Sequence, residues 1–170
     1  MTVGMERLRF MQGNWAVEAH VMNEDGEWVS TPLPDATTIL PMIGGACHYE
    51  IMPVMYDNIT TRLFFSWSYD RHRKVYRMLS GDETSGLLGV LEGNFDDNTD
   101  TVIINDLHTG TAILDEDGQP AFFRQLASTK TSEDSFTDIV SESYDGGASW
   151  QPVFRAIHTR KVLSPSLTRT

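Results

Sequence analysis

The sequence predicts an all-β fold, a single up-and-down antiparallel β-barrel of about ten strands with a short N-terminal helix at one mouth. Apolar and polar residues alternate with a period of two along most of the chain, most clearly in ITTRLFFSWSY at 59–69. Turn-forming residues punctuate the alternation in stretches such as NEDGE, YDRHR, FDDNTD and YDGGAS. Strands joined by short hairpins form a meander, and closure of so many strands removes the exposed edges.

The elements follow in a simple order. A helix is expected over residues 3–11, where Met5, Leu8 and Met11 are three residues apart. The predicted strands are NWAVEAHVM, ATTILPMI, ACHYEIM, ITTRLFFSWSY, KVYRML, GLLGVLE, DTVIIND, AFFRQLAS, SFTDIVSES and PVFRAIHTR. We expect one domain over residues 1–163 and a disordered polar tail over 164–170.

Composition excludes several classes of partner. The 170 residues carry 13 Lys plus Arg against 24 Asp plus Glu, a net charge of −11 that repels nucleic acid and anionic membrane surfaces. Cys47 is the only cysteine, so an internal disulfide and a cysteine-based zinc site are excluded. The N-terminus has no apolar core of a signal peptide, and we expect a cytoplasmic protein.

Local motifs for metal, cofactor or nucleophilic chemistry are missing. No two of the five histidines have the spacing of a zinc motif, and the Asp-Gly turns lack the ligand positions of a calcium loop. In CHYE, Cys47 and His48 are adjacent on a strand and point to opposite faces, so they cannot form a nucleophile pair. We therefore predict no metal and no cofactor.

A Gly-x-Trp motif opens the first strand, at Gly13 and Trp15, and Arg160 ends the last one. This pattern resembles the lipocalin and nitrobindin end of the calycin superfamily, in which the Trp lies across the closed end of the barrel beneath an Arg of the last strand. The resemblance implies a cation–π contact between Arg160 and Trp15. Nitrobindins carry further glycines after the Trp where this chain reads AVEAHV, so haem binding, with His158 as a conceivable ligand, is not carried over.

A wider resemblance, over residues 6–161, is to a bacterial family of barrels catalogued as domain of unknown function fifteen-seventy-nine. Its plan is Gly-x-Trp, a Gly-Gly pair before an aromatic strand, a Tyr-Asp turn and a DGG-x-x-W hairpin that leads into Thr-Arg. The chain has Gly44-Gly45, Tyr69-Asp70 and DGGASW at 145–150 in that order. This resemblance implies a fold and no established activity.

Alternation predicts which side chains line the barrel. With Trp15 and Arg160 as reference points, His158 and Phe154 face inward, and Arg124 and Asp138 share faces with apolar residues of their strands. The predicted ligand-binding residues are Tyr49, Phe65, Trp67, Tyr69, Arg124, Asp138, Phe154 and His158. Aromatic walls with a few polar groups suit a partly apolar molecule that carries a carboxylate or carbonyl. The alternative is that Arg124 and Asp138 are cross-strand partners on the surface and His158 lies at the rim.

Three functions fit these observations. The first is a barrel that binds a hydrophobic or amphipathic small molecule. The second is a cofactor-free enzyme of the cyclase or isomerase type, in which His158 or Asp138 moves a proton and Arg124 stabilises an enolate-like charge. The third is a packed barrel that acts as an interaction module or homodimer, with Phe64 and Trp28 in an exposed contact patch.

Overall fold

The structure is a computed structural model that describes residues 4–32, 36–56 and 59–161, with the backbone alone for 55, 56 and 59. A 3-10 helix, Met5–Met11, precedes the first strand, and a second short one, Ile43–Gly45, joins the third strand to the fourth. The strands are β1 (Gly13–Met22), β2 (Trp28–Thr31), β3 (Ala36–Met42), β4 (Cys47–Tyr56), β5 (Ile59–Asp70), β6 (Val75–Asp82), β7 (Leu88–Phe95), β8 (Thr101–Asn105), β9 (Phe123–Ser132), β10 (Ser135–Ser143) and β11 (Gln151–Arg160).

The strands form a closed up-and-down barrel with ten positions. From β3 to β11 each strand pairs with the next in sequence, and β11 closes the barrel by pairing with β1. The short β2 pairs with the second half of β1, whereas β3 pairs with its first half, so the two occupy one position in the barrel. The predicted barrel of about ten antiparallel strands is confirmed, and β2 is the strand that the sequence pattern missed.

The N-terminal helix is 3-10 because of its apolar spacing. Its three buried residues, Met5, Leu8 and Met11, are three apart, and a helix with three residues per turn places them in one row. The charged Glu6, Arg7 and Arg9 lie on the exposed sides. The predicted short helix is therefore confirmed, and it presents a continuous apolar face.

This helix seals one end of the barrel through contacts with strands on all sides. The Trp15 indole N–H donates to the Met11 carbonyl over 2.8 Å, and the Tyr76 hydroxyl donates to the Gly4 carbonyl over 2.8 Å. Phe10 meets Phe136 of β10 edge to face, with ring centroids 5.7 Å apart. Because the partners come from β1, β6 and β10, the helix lies across the whole mouth. We call this sealed end the floor.

Gly13 allows Arg160 to reach the floor. Its φ of 136° is in the region that favours glycine, and a Cβ there would lie 2.5 Å from a terminal guanidinium nitrogen of Arg160. The guanidinium carbon of Arg160 lies 4.2 Å from the ring centroid of Trp15, which confirms the cation–π contact expected from the resemblance. The Gly-x-Trp motif thus has a steric explanation.

One sequence expectation lies outside the described residues. The predicted tail, 164–170, lies beyond the last described residue, 161. Within the described ranges, no helix has the length and apolar character required to cross a membrane.

Candidate functional site

Small side chains leave space in the barrel interior above the floor. Asp138 of β10 is flanked by Ala156 and Ser128, and Ala19 of β1 continues the same row. On the opposite wall, a second row runs from Glu50 through Phe65 and Ser80 to Gly89. Glu50, Phe65, Ser80 and Asp138 in these rows are only partly buried, so the interior is not completely filled at this level.

Asp138 is a carboxyl deep in the barrel that still has accessible surface. Its Oδ1 accepts a hydrogen bond from the Ser128 hydroxyl at 2.5 Å. Burial raises the pKa of Asp138 to about 7, against the lowering effect of the Ser128 hydrogen bond. Since 23% of the side-chain surface nevertheless remains accessible, the carboxyl faces a cavity.

His158 lies next to Asp138 and is almost completely buried. Its ring stacks on Phe136 with centroids 4.0 Å apart, and its Nδ1 is 3.9 Å from Asp138 Oδ2. That distance is too long for a hydrogen bond, and Nδ1 has no hydrogen-bond partner among the described residues. Burial lowers the pKa of His158 to about 4, so the ring is neutral at pH 7.

A second carboxyl, Glu50, faces the same interior from β4. Its Oε1 accepts a hydrogen bond from the Thr37 hydroxyl at 2.5 Å. Burial raises the pKa of Glu50 to about 7; the Thr37 hydrogen bond lowers it and the charge of Asp138 raises it. The two carboxyls are therefore close enough to interact electrostatically.

Together these side chains form a band on the inner wall, which we call the polar arc and define as Glu50, Thr37, His158, Asp138 and Ser128. Their strands are neighbours in the barrel, in the order β4, β3, β1, β11, β10 and β9. At this level β1 contributes Val17, which pairs with His158. The arc thus runs around the interior from Glu50 on one wall to Asp138 on the other, and it contains two acids and a neutral imidazole.

His48 links the arc to the floor. It is fully buried, and its Nε2 accepts a hydrogen bond from the Gln12 side-chain amide at 2.5 Å. Burial lowers the pKa of His48 to about 4. This histidine is also neutral at pH 7 and supplies no positive charge to the two carboxyls.

The structure places most of the predicted site residues inside the barrel. Asp138 and His158 lie in the polar arc, and Phe65 and Trp67 lie on the wall formed by β4 to β6. Phe154 pairs with Val140 and Val21 at the end opposite the floor. Tyr69 also faces inward, but it packs on Tyr76 with centroids 4.9 Å apart and belongs to the floor.

One predicted orientation and one predicted contact require correction. The prediction that Tyr49 faces inward is wrong, because it pairs with Leu40 and Ser66 on the outer face, and Leu40 is 43% exposed. Arg124 does not join Asp138 in either of the ways expected. It pairs with Glu142 toward the open mouth, whereas Asp138 pairs with Ser128. The polar arc therefore contains acidic side chains and does not include Arg124, the cation expected beside Asp138.

Sequence reasoning missed Glu50, Thr37, Ser128 and His48. The signal that could have found Glu50 is the pairing of β4 with β5, in which Tyr56 lies opposite Ile59. That register sets Glu50 opposite Phe65 and His48 opposite Trp67, and directly opposed residues share a face. The inward assignment of Phe65 and Trp67 therefore already implied the inward face of β4.

Phe64 and Trp28, expected in an exposed contact patch, lie on the outer surface, but both are half-buried rather than exposed. Phe64 pairs with Ile51, which is 51% exposed, on the outer face of β4 and β5. Trp28 is partly covered by Arg155, whose guanidinium carbon lies 4.8 Å from the Trp28 ring. The two aromatics lie on separate strands, β5 and β2.

No grouping of three or more possible metal ligands occurs among the residues that the structure describes. No family model matches the chain, and no curated protein sequence matches it. Among solved structures, the chain is similar to one described as "EF1p2_mFAP2b bound to DFHBI", with 12% sequence identity, coverage of 92% of this chain and 98% of that chain, and a TM-score of 0.35.

Proposed function

We propose that the barrel binds a small amphipathic molecule in its interior. The observation that carries this proposal is the environment of Asp138. Desolvation strong enough to raise its pKa to about 7 requires a deep position, yet 23% of its side-chain surface is accessible. A carboxyl that borders an interior cavity is both deep in the barrel and partly accessible.

The walls of this cavity suit a ligand with an apolar body and one polar end. Phe65, Phe154 and Val140 are partly exposed while they pack against the core cluster. Trp67 and Leu91 complete the apolar wall at lower exposure. Polar groups are concentrated in the arc, so the polar end of a ligand is expected there and its apolar body against the aromatic side chains.

Native mass spectrometry of protein purified without refolding tests the proposal. A stoichiometric small molecule is expected in the wild type, and Ser80→Leu should abolish it by filling the cavity beside Phe65 and Gly89. Ser66→Leu is the matched control, because Ser66 pairs with Tyr49 on the outer face. The proposal is overturned if the wild type carries no compound and does not bind 1-octanol, a neutral amphipathic probe.

A second candidate, a cofactor-free enzyme of the isomerase type, is favoured by the pKa of Asp138 near 7. A carboxyl with that pKa can both accept and return a proton at neutral pH. Arg124 lies too far along β9 to stabilise an enolate at Asp138, and His158 is neutral. Exchange of deuterium from solvent into the α-positions of 2-octanone would support this candidate if it required Asp138, and no exchange above the Asp138→Asn background would eliminate it.

The family assignment also remains a proposal. The order of Gly13-x-Trp15, Gly44-Gly45 and DGGASW supports membership in the calycin-like family of domain of unknown function fifteen-seventy-nine. The stacking of Arg160 on Trp15 at the floor is consistent with it. A profile built from close homologues of this chain would test the assignment, and loss of these motifs in the homologues would contradict it.

A further inference from the structure

Each carboxyl of the polar arc has one oxygen engaged and one oxygen free. The Ser128 hydroxyl bonds Asp138 Oδ1, and the Thr37 hydroxyl bonds Glu50 Oε1. No donor among the described residues forms a hydrogen bond with Asp138 Oδ2 or Glu50 Oε2. The free oxygens are therefore available to a donor that enters the cavity.

The charged and titratable groups on the neighbouring strands leave these carboxyls without a cation. On β9, Lys130 bonds Glu133 near the floor, and Arg124 faces Glu142 toward the mouth. On β11, Arg160 belongs to the floor, where it contacts Trp15 and Asp134. On β4 and β3, the groups nearest Glu50 are the neutral His48 and the Thr37 hydroxyl.

The unpartnered nitrogen of His158 is an independent sign of a missing donor. His158 is 1% exposed, and its Nδ1 lies 3.9 Å from the free Oδ2 of Asp138. Buried polar atoms in proteins are nearly always satisfied, and Nδ1 accepts a hydrogen bond when the proton of the neutral ring is on Nε2. An ammonium placed beside Oδ2 would have one N–H for that oxygen and a second for Nδ1.

We propose that the polar arc binds the ammonium group of a primary amine whose apolar body fills the aromatic part of the cavity. This inference rests on the proposed function. An ammonium carries three N–H donors, and the arc offers the unengaged oxygens Asp138 Oδ2 and Glu50 Oε2, with the unpartnered His158 Nδ1 3.9 Å from the first. Charge-assisted hydrogen bonds of this kind are stronger than neutral ones.

The electrostatics of the whole chain favour the same ligand class. The net charge of −11 attracts cations to the barrel and repels carboxylates. Two buried carboxylates repel each other, so a ligand that brings a positive charge between them stabilises their ionised forms most. The ligand class inferred here thus reverses the carboxylate expected from the sequence, which depended on Arg124 inside the cavity.

Isothermal titration calorimetry with octylamine, 1-octanol and octanoate tests the inference. The three probes share an apolar chain and differ in the charge of the polar end. At pH 8 octylamine should bind at least tenfold more tightly than octanol, and octanoate should bind more weakly than either. If octanol or octanoate binds as tightly as octylamine, the inference is overturned and the proposed function stands. If none of the three binds, the inference is overturned, and the proposed function is overturned with it when the purified wild type also carries no compound.

Variants then test whether the carboxyls of the polar arc cause the preference for octylamine over octanol. Asp138→Asn and Glu50→Gln should each weaken octylamine binding at least fivefold and leave octanol binding within twofold, which also shows that the variants fold. Glu18→Gln, on the exposed outer face of β1, is the matched control and should change neither the octylamine affinity nor the octanol affinity. Equal octylamine affinity in Asp138→Asn and the wild type would place the ammonium elsewhere and overturn the assignment.

The pH dependence provides a second readout. Protonation of Asp138 and Glu50 competes with the ammonium, so octylamine should bind at least tenfold more weakly at pH 6 than at pH 8. Octylamine itself stays charged across this range, and octanol binding should not change. A flat profile for octylamine contradicts the role of the two carboxyls.

Discussion

The guanidinium of Arg160 stacks over the ring of Trp15, and the two residues are directly paired between β11 and β1. The same guanidinium donates to the carbonyls of Gln12 and Phe10, at 3.1 and 3.5 Å. Arg160 therefore joins the first strand, the last strand and the chain entering the barrel. The contact between Arg160 and Trp15 therefore links β1 to β11, the two strands whose pairing closes the barrel. We call this strand pair the seam.

Arg160→Met should destabilise the barrel by about 1–2 kcal/mol, because it keeps the apolar stem and removes the cation–π contact and the hydrogen bonds to the floor. Urea denaturation followed by tryptophan fluorescence measures this loss. Arg160→Lys keeps the positive charge but lacks the planar guanidinium group. Its free energy of unfolding should lie between those of the wild type and Arg160→Met. A stability of Arg160→Met equal to that of the wild type would show that the stacking contributes nothing to folding.

Gly13→Ala should cost about 1–3 kcal/mol in stability, since φ is 136° and the new methyl group would lie 2.5 Å from Arg160. Gly26→Ala is the control for backbone strain alone. Its φ is 77°, and nothing lies within 4 Å of the position of a Cβ. We expect thermal unfolding to show a larger loss for Gly13→Ala than for Gly26→Ala, and equal losses would refute the close approach of Arg160.

Much of the architecture could be predicted from the sequence because the relevant signals are local. Alternation and turn residues determine the strands, and Gly13, Trp15 and Arg160 mark the seam. The short β2 was missed because β2 and β3 share one position in the barrel, a tertiary relationship that no local pattern encodes.

The site was predicted less well, for a different physical reason. In CHYEIM the apolar residues are divided between both faces, so hydrophobicity alone does not choose between Tyr49 and Glu50. The choice depends on the pairing of β4 with β5. The raised pKa values of Glu50 and Asp138 depend further on burial by distant strands, which local sequence does not report.

Ser128→Ala should raise the pKa of Asp138 above its wild-type value of about 7. The Ser128 hydroxyl donates to the ionised carboxylate and lowers that pKa, so its removal favours the protonated form. Carbon-13 NMR titration of labelled aspartate carboxyls measures the shift. Ser66→Ala, on the outer face, should leave the titration unchanged. An unchanged or lower pKa in Ser128→Ala would show that the Ser128 hydroxyl does not stabilise the carboxylate.

Removing both buried carboxyls should change the pH dependence of stability. The pKa of Asp138 and Glu50 is raised in the folded state from ordinary values of 3.8 and 4.5 to about 7, so these acids make stability fall as pH rises through that window. The pKa of His48 and His158 is lowered from 6.5 to about 4, so the histidines make stability rise with pH between those values. In the wild type the carboxyls and the histidines therefore change stability with pH in opposite directions between pH 4.5 and 6.5.

In the Asp138→Asn, Glu50→Gln double variant the contribution of these two carboxyls is lost and the histidine contribution is kept. Its stability should increase with pH between 4.5 and 6.5 more steeply than that of the wild type, by about 1.4 kcal/mol per pH unit for each carboxyl removed. Urea denaturation at pH 4.5, 5.5 and 6.5 gives the slopes, and Glu18→Gln, a substitution on the exposed outer face, is the matched control. Parallel profiles for the double variant and the wild type would show that the two carboxyls ionise as they do in the unfolded chain, and would remove the electrostatic basis for an ammonium ligand.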